Sequence, residues 1–358
     1  MKIRTAEIAG VKIGDSYPVC IAAEIGTYFG TDLVLAKEYV DVAKEANVEF
    51  LKTEILHDLS VLWDSSMTHT YNTDFGHKTE NYRDLLERKR VPLNEYEKLI
   101  EYCSDRGLPV IASVYDIKRV DFMVASGGAS VKIASQNITN RPLIEHCAKS
   151  GLPVIMDTGN ALLHEVAGAV KWAEDMGVQN LIINHRPDGS PCPADKQNLR
   201  LLQTYSNAFG WPVGLACHYN GDEMIYVAIA LGASFIEKPL YHKKVKDDQD
   251  TPFVLYYDEF IRMVKKARNC YVALGDGIRQ LQLPEQLECR ACIVAAKDIK
   301  ECEPLCLDNV TFAWPMKGIP AEDWNDVSRK VAAKDLQKGR PIGWDDIQSV
   351  DDQKQPGG

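Results

Sequence analysis

Eight short β-rich runs, each apolar at its start and polar at its end, recur through the first 240 residues with helical segments between them. They are 19–26 (VCIAAEIG), 49–55 (EFLKTEI), 109–115 (PVIASVY), 130–135 (SVKIAS), 153–159 (PVIMDTG), 181–186 (LIINHR), 212–218 (PVGLACH) and 234–240 (SFIEKPL). Strands so continuously apolar are buried on both faces, as in a parallel sheet covered by helices. Segments 32–46, 95–106 and 165–176 carry apolar residues at helical spacing. Eight strand–helix units in this length fit an α/β fold of the closed (β/α)8 barrel type, whose chemistry sits at the C-terminal ends of the strands. The repeated GLPV at 107–110 and 151–154, echoed by WPVG at 211–214, marks the helix-to-strand turn, with Gly ending a helix and Pro opening a strand.

The longest interruption, 57–92, is polar, aromatic and rich in His, Asn and Asp, and reads as a lid or binding loop. After a long helix over 255–274 come a hinge-like GDG and LPEQ at 283–286, and then short β-like runs (CIVAA, VTFAW). The expected organisation is a barrel over 1–283, a small β-rich cap over 288–348 and a disordered tail over 349–358.

Several classes of function are set aside. A net charge of −10 lacks the basic surplus of a nucleic-acid binder. No apolar run approaches the roughly 20 residues a membrane helix needs, and the N-terminal MKIRTAEIAGVKIGD has no signal-peptide core. A cytoplasmic protein with reduced thiols is expected. Cys20, Cys103, Cys147, Cys192, Cys217 and Cys270 are scattered, whereas Cys289, Cys292, Cys302 and Cys306 form a CxxC and a CxxxC. Those four read as small residues of a compact β domain, with a zinc site as the alternative.

The strand ends carry the candidate chemistry. Lys52 and Lys132 lie at the ends of the second and fourth strands, where cations meet an acidic substrate, and Ser135 offers a hydroxyl beside Lys132. A lysine in an apolar strand is costly unless used or paired. Glu24 and Glu237, also at strand ends, would move protons or fix those lysines.

Taken in order, AEIG at 23–26, LKTE around Lys52, KIAS at 132–135 with Asn140 after it, TG at 158–159, NLR at 198–200, GL-x-x-H at 214–218, LGASFIEK at 231–238 and Asp250 before DEF at 258–260 resemble the sialic acid synthase family. From Arg290 onward, VAAKDI, DNVTF, KGIP and GWDDI are similar to that family's antifreeze-like (SAF) cap, so the resemblance covers nearly the whole chain. It implies condensation of phosphoenolpyruvate with the open-chain aldehyde of an amino sugar, giving phosphate and a 2-keto sugar acid. It also implies a divalent metal (Mn or Mg) held by two histidines, and a homodimer in which each cap covers its neighbour's barrel. Carried over residue by residue, the catalytic set is Glu24, Lys52, Lys132, His218, Glu237 and Lys238, with His218 also a metal ligand. The substrate-binding set is Glu54, Ser135, Asn137, Asp157, Asp250 and Trp314.

Part of the family's catalytic kit is replaced. Ala216-Cys217-His218 stands where the family has serine-aspartate-histidine, and Pro239 replaces the second metal histidine. Asp157 replaces a serine, Val114 a threonine, Glu54 a glutamine, and Trp314 the cap arginine. Tyr28-Phe29 replaces asparagine-histidine, which is expected to make the mouth more apolar. A substitute metal site would pair His218 with Asp157, His185 or His242, His185 being one residue out of register. Two other uses of the barrel remain open: lyase, aldolase or isomerase chemistry without phosphoenolpyruvate, with Lys52 forming a Schiff base, and non-catalytic binding. Replacing either lysine by methionine is expected to leave stability nearly unchanged.

Overall fold

The structure is a computed structural model that describes residues 3–73, 75–245, 248–280 and 283–350. The chain divides after Gly275 into two compact units.

A short antiparallel hairpin, β1 (Ala6–Ile8) and β2 (Val11–Ile13), precedes the first unit's main sheet. The sheet is built from β3 (Cys20–Gly26), β4 (Phe50–Glu54), β7 (Val110–Val114), β8 (Ser130–Ile133), β9 (Val154–Asp157), β10 (Leu181–His185), β11 (Val213–Ala216) and β12 (Phe235–Tyr241). Each strand pairs in parallel with the next, and β12 returns to β3, closing the barrel. Every one of the eight expected runs supplies one of these strands. Helices Leu33–Glu45, Leu93–Asp105 and Leu163–Asp175 cover the outside where helical spacing placed them.

The segment 57–92 is not an irregular loop. It holds β5 (Thr68–Thr73) and β6 (Gly76–Asn81), paired antiparallel, and a helix over Tyr82–Lys89. Thr70 and Thr79 hydroxyls meet across the pair at 2.8 Å. Both strands are mostly polar on both faces, so the apolar alternation that betrays a strand is absent.

Strand periodicity sets the site. Cys20, Ala22, Phe50, Ile111, Ile155, Ile182 and Phe235 fill the lower barrel and pack with Ala6, Ile8 and Ile13 of the hairpin; Ser130 of β8, at the same level, donates to the Pro153 carbonyl. Two residues further along the same strands, on the same inward face, come Glu24, Lys52, Ser113, Asp157, Asn184 and Glu237, with Lys132 on β8 at the same level. A charged layer therefore rests directly on an apolar floor. Gly214 makes room for it, since a Cβ there would lie 2.7 Å from both Asn184 Oδ1 and the Phe235 carbonyl.

After β13 (Leu255–Tyr256), which pairs in parallel with the end of β12, the long helix Tyr257–Leu274 ends the first unit. In the second, β14 (Cys292–Ala295) pairs with β15 (Val310–Ala313), and β16 (Lys330–Ala332) with β17 (Ile347–Ser349). They enclose Ile293, Ile299, Leu305, Val310, Ile319 and Leu336. Cys292 is buried in β14 whereas Cys289, Cys302 and Cys306 are exposed, and no metal-binding group is found among the described residues. Of the expected tail, Ser349 ends β17 and 351–358 lie outside the described residues. Among the described residues, no helix is long and apolar enough to cross a membrane.

Candidate active site

The strand ends bring two buried ammonium groups among four carboxylates. Lys52 Nζ contacts Glu24 and lies 3.3 Å from Glu54 Oε1 and 3.3 Å from Glu237 Oε1. Lys132 Nζ lies 2.6 Å from Glu237 Oε1 and 2.9 Å from Asp157 Oδ2. Glu237 is thus shared by both lysines. The two lysines are 2% and 3% exposed, so water screens these contacts little. Asn184 donates to Asp157 Oδ1 at 2.8 Å, and the Tyr115 hydroxyl donates to Glu54 Oε2 at 3.1 Å.

Charge and burial split the carboxylates into two kinds. For Glu237 burial opposes ionisation, but Lys132 and Lys52 outweigh it and hold the carboxyl down to about 2. Glu54 is likewise held below the usual carboxylate range, mainly by Lys52 and Lys89 against burial. Glu24 goes the other way: burial pushes it up to about 7, Lys52 opposing and Glu237 adding. Asp157 is also raised by burial, against the pull of Lys132. Burial works against the Lys52 ammonium too, yet Glu24, Glu237 and Glu54 together raise it well above its usual value. Schiff-base chemistry at Lys52 presupposes an easily deprotonated amine, and the three carboxylates remove that premise.

Above Lys132, Ser135 is buried and its hydroxyl has no hydrogen-bond partner among the described residues. Gly159 keeps the space beside it clear: a Cβ there would lie 2.7 Å from Ser135 Oγ and 3.0 Å from Arg186 Cδ. Arg186 continues the inward parity of Ile182 and Asn184 on β10. It is half-buried and makes no ion pair among the described residues. His218 stands beside it, its ring stacked on Phe253 at 4.6 Å and its Nδ1 3.0 Å from Ser190 Oγ. Burial holds its pKa well below the ordinary imidazole value, and Arg186, Lys132, Lys52 and Lys238 add to that effect, so the ring is neutral.

The donor set does not fit a divalent metal. Asp157 has one oxygen on Lys132 and the other on Asn184. His185 is turned into the helix layer, its Nε2 2.8 Å from the Gln197 carbonyl, because it sits one residue off the inward register. His242 accepts from the Lys244 amide and faces Glu38. Four cations bear on the one remaining histidine, which disfavours a second positive charge there.

Other expected residues fall outside the ring. Lys238, adjacent to Glu237 on the strand, points to the opposite face and donates to the Tyr219 carbonyl at 2.7 Å, so it is not part of the charged layer. Phe29 does not line the mouth either: it is 2% exposed and packs edge-on against Tyr96. Tyr28 meets Tyr241 at 4.0 Å, with Lys89 above its ring. Asp250 is 3.5 Å from Lys89 Nζ, which also binds Asp248 at 2.9 Å. Asn137 closes the turn after β8, accepting from Asn140 at 3.0 Å. Trp314, in the second unit, is 76% exposed. Arg186, Asn184 and Tyr115 were not anticipated from sequence. Counting by twos along LIINHR and PVIASVY finds all three.

Residues 39–279 match the NeuB family and residues 290–348 the SAF domain. The N,N'-diacetyllegionaminic acid synthase of Campylobacter jejuni is 28% identical over 90% of this chain and 98% of its own length. An uncharacterised protein of Methanocaldococcus jannaschii is 31% identical over 94% of this chain and 98% of its own. The crystal structure of the N-acetylneuraminic acid synthetase of Leptospira borgpetersenii, in complex with citrate, superposes with a TM-score of 0.68 at 27% identity, covering 79% of this chain and 94% of that one.

Proposed function

This chain belongs to the NeuB family, and on that footing we propose that it condenses phosphoenolpyruvate with an amino-sugar aldehyde, forming a 2-keto sugar acid. The balance is simple: the donor's methylene carbon bonds to the aldehyde carbon, water supplies the new oxygen at the donor's second carbon, and phosphate leaves. Lys52, Lys132, Arg186 and Ser135 are the groups in this reading that receive the donor's carboxylate and phosphate. Glu24 supplies the proton that the aldehyde oxygen needs as it becomes a hydroxyl, a role suited to an acid that titrates near the working pH. No step runs through a metal.

The observation that carries this reading is the split within the charged layer: two permanent ammonium groups beside a carboxyl pushed up to about 7. Binding of an anion next to four carboxylates calls for at least one of them to be protonated, and Glu24 is the one poised to be. The working unit in this reading is a cytoplasmic homodimer in which the SAF domain serves the neighbouring barrel, as the family resemblance implies.

A pH series of calorimetric titrations with phosphoenolpyruvate tests it. Between pH 7 and 9 the donor's phosphate is at least about nine-tenths ionised, its second pKa lying near 6. Glu24, at about 7, loses its proton over the same range. Binding is therefore expected to take up about half a proton at pH 7, rising toward one by about pH 8 to 9, and to weaken by up to about tenfold per pH unit. A dissociation constant that is flat over this range, with no proton uptake, would contradict the reading.

A further inference from the structure

The reaction above gives no role to His218 or Ser190, which meet Arg186 in a defined geometry. Arginine carries only donors. Arg186 Nη2 donates to Ser190 Oγ at 3.0 Å and also lies 3.5 Å from His218 Nδ1, and Ser190 Oγ is 3.0 Å from the same Nδ1. An N–H on Nδ1 would point at the Arg186 N–H, two donors facing each other. A bare Nδ1 instead receives the Ser190 hydroxyl proton while Ser190 receives the arginine's. This arrangement satisfies all three groups and leaves the imidazole proton on Nε2. The stack on Phe253, with the rings 16° from parallel, fixes the plane. Nε2, on the far side of the ring, has no hydrogen-bond partner among the described residues. His218 itself shares the inward parity of Gly214 and Ala216.

We infer that His218 acts as a neutral hydrogen-bond donor, its Nε2–H directed to the aldehyde oxygen of the acceptor, with Arg186 and Ser190 as positioning residues that fix this tautomer. Resting on the condensation reading, the inference gives the polarisation of the carbonyl to an imidazole N–H. A neutral imidazole with a proton on Nε2 offers no lone pair there to a metal, so the two uses of the ring exclude each other. No bond to His218 forms or breaks. It steadies the negative charge that develops on the oxygen until the proton arrives.

The test uses the full-length protein labelled with 15N at histidine. Long-range proton–nitrogen correlations are recorded at pH 8 before and after exhaustive chelation, with the His218 signals assigned from a His218→Gln spectrum. The expected result is a protonated Nε2 and an unprotonated Nδ1, unchanged by chelation. Ser190→Ala is expected to shift the ring toward the other tautomer and lower kcat by at least about tenfold. KM for phosphoenolpyruvate should change less than kcat, and Ser190→Thr should recover both signals. A proton on Nδ1, or selective broadening of the His218 ring by added manganese at micromolar concentration, would overturn the inference. If no phosphate is released with any aldehyde, the condensation reading fails by itself, while the spectrum still decides the tautomer.

Discussion

Lys52→Met is expected to destabilise the barrel by roughly 3–5 kcal/mol at pH 8, the usual cost of removing one partner from a buried ionic group. Sequence alone suggested a nearly neutral change, because an apolar chain would replace a buried cation. The structure reverses that expectation: Lys52 touches Glu24, Glu54 and Glu237 at once, and without it three carboxylates face each other in a layer screened from water. The sign of the pH dependence follows. The stranded carboxyls have raised pKa values in the folded variant, so the folded state binds more protons than the unfolded chain, whose carboxyls titrate at about 4.3. The deficit relative to the parent should therefore be largest at pH 8 and shrink toward pH 5.5. Adding Glu24→Gln should recover at least about 1 kcal/mol, as expected for residues in direct contact. Urea unfolding followed by circular dichroism at the two pH values measures both effects. A variant as stable as the parent at pH 8 would show that Lys52 is not held by these carboxylates.

The second large effect concerns the donor and has a predicted sign for each of two neighbours. Lys132→Met removes a charge-assisted contact in a water-poor pocket, and should weaken phosphoenolpyruvate binding at pH 7 by at least about thirtyfold, near 2 kcal/mol. Asp157→Asn should do the opposite. Asp157 Oδ2 occupies Lys132 Nζ at 2.9 Å and adds a negative charge beside the incoming anion. Neutralising it leaves the ammonium paired with Glu237 alone, and affinity is expected to rise about three- to tenfold. Calorimetry on the two variants, with their unfolding midpoints as a control, distinguishes a donor site from a structural ion cluster. In the latter case both substitutions would leave affinity unchanged.

Much of this fold is written in the chain as the change from apolar to polar along each of eight runs, because a barrel strand is buried for its length and opens to the site only at its end. Lys52 and Lys132 were legible for that reason. Glu24 and Glu237 were legible as residues that would fix them, but the pairing was not. Glu24, Glu54, Asp157 and Glu237 come from four different strands, and which carboxylate meets which ammonium depends on barrel closure, which no local pattern encodes. Parity along the strand corrects two assignments. Lys238 is adjacent to Glu237 in sequence and on the opposite face in space. Arg186 follows His185, so the register that disqualified the histidine selects the arginine. The β5–β6 pair stayed hidden because its strands are mostly polar on both faces, and the β1–β2 hairpin because three-residue strands are too short for any period to emerge.

The most direct test of the whole account is turnover. Protein freed of metal by chelation is mixed with phosphoenolpyruvate and a panel of 2-acetamido and diacetamido hexoses, and inorganic phosphate and 2-keto acid are measured together. The account predicts that, with at least one aldehyde, phosphate and a 2-keto sugar acid appear in equal amounts, that neither forms when donor or aldehyde is omitted, and that Lys132→Met slows both by at least about thirtyfold at subsaturating donor. Phosphate released without aldehyde, or no reaction across the panel from protein shown by calorimetry to bind the donor, would contradict it.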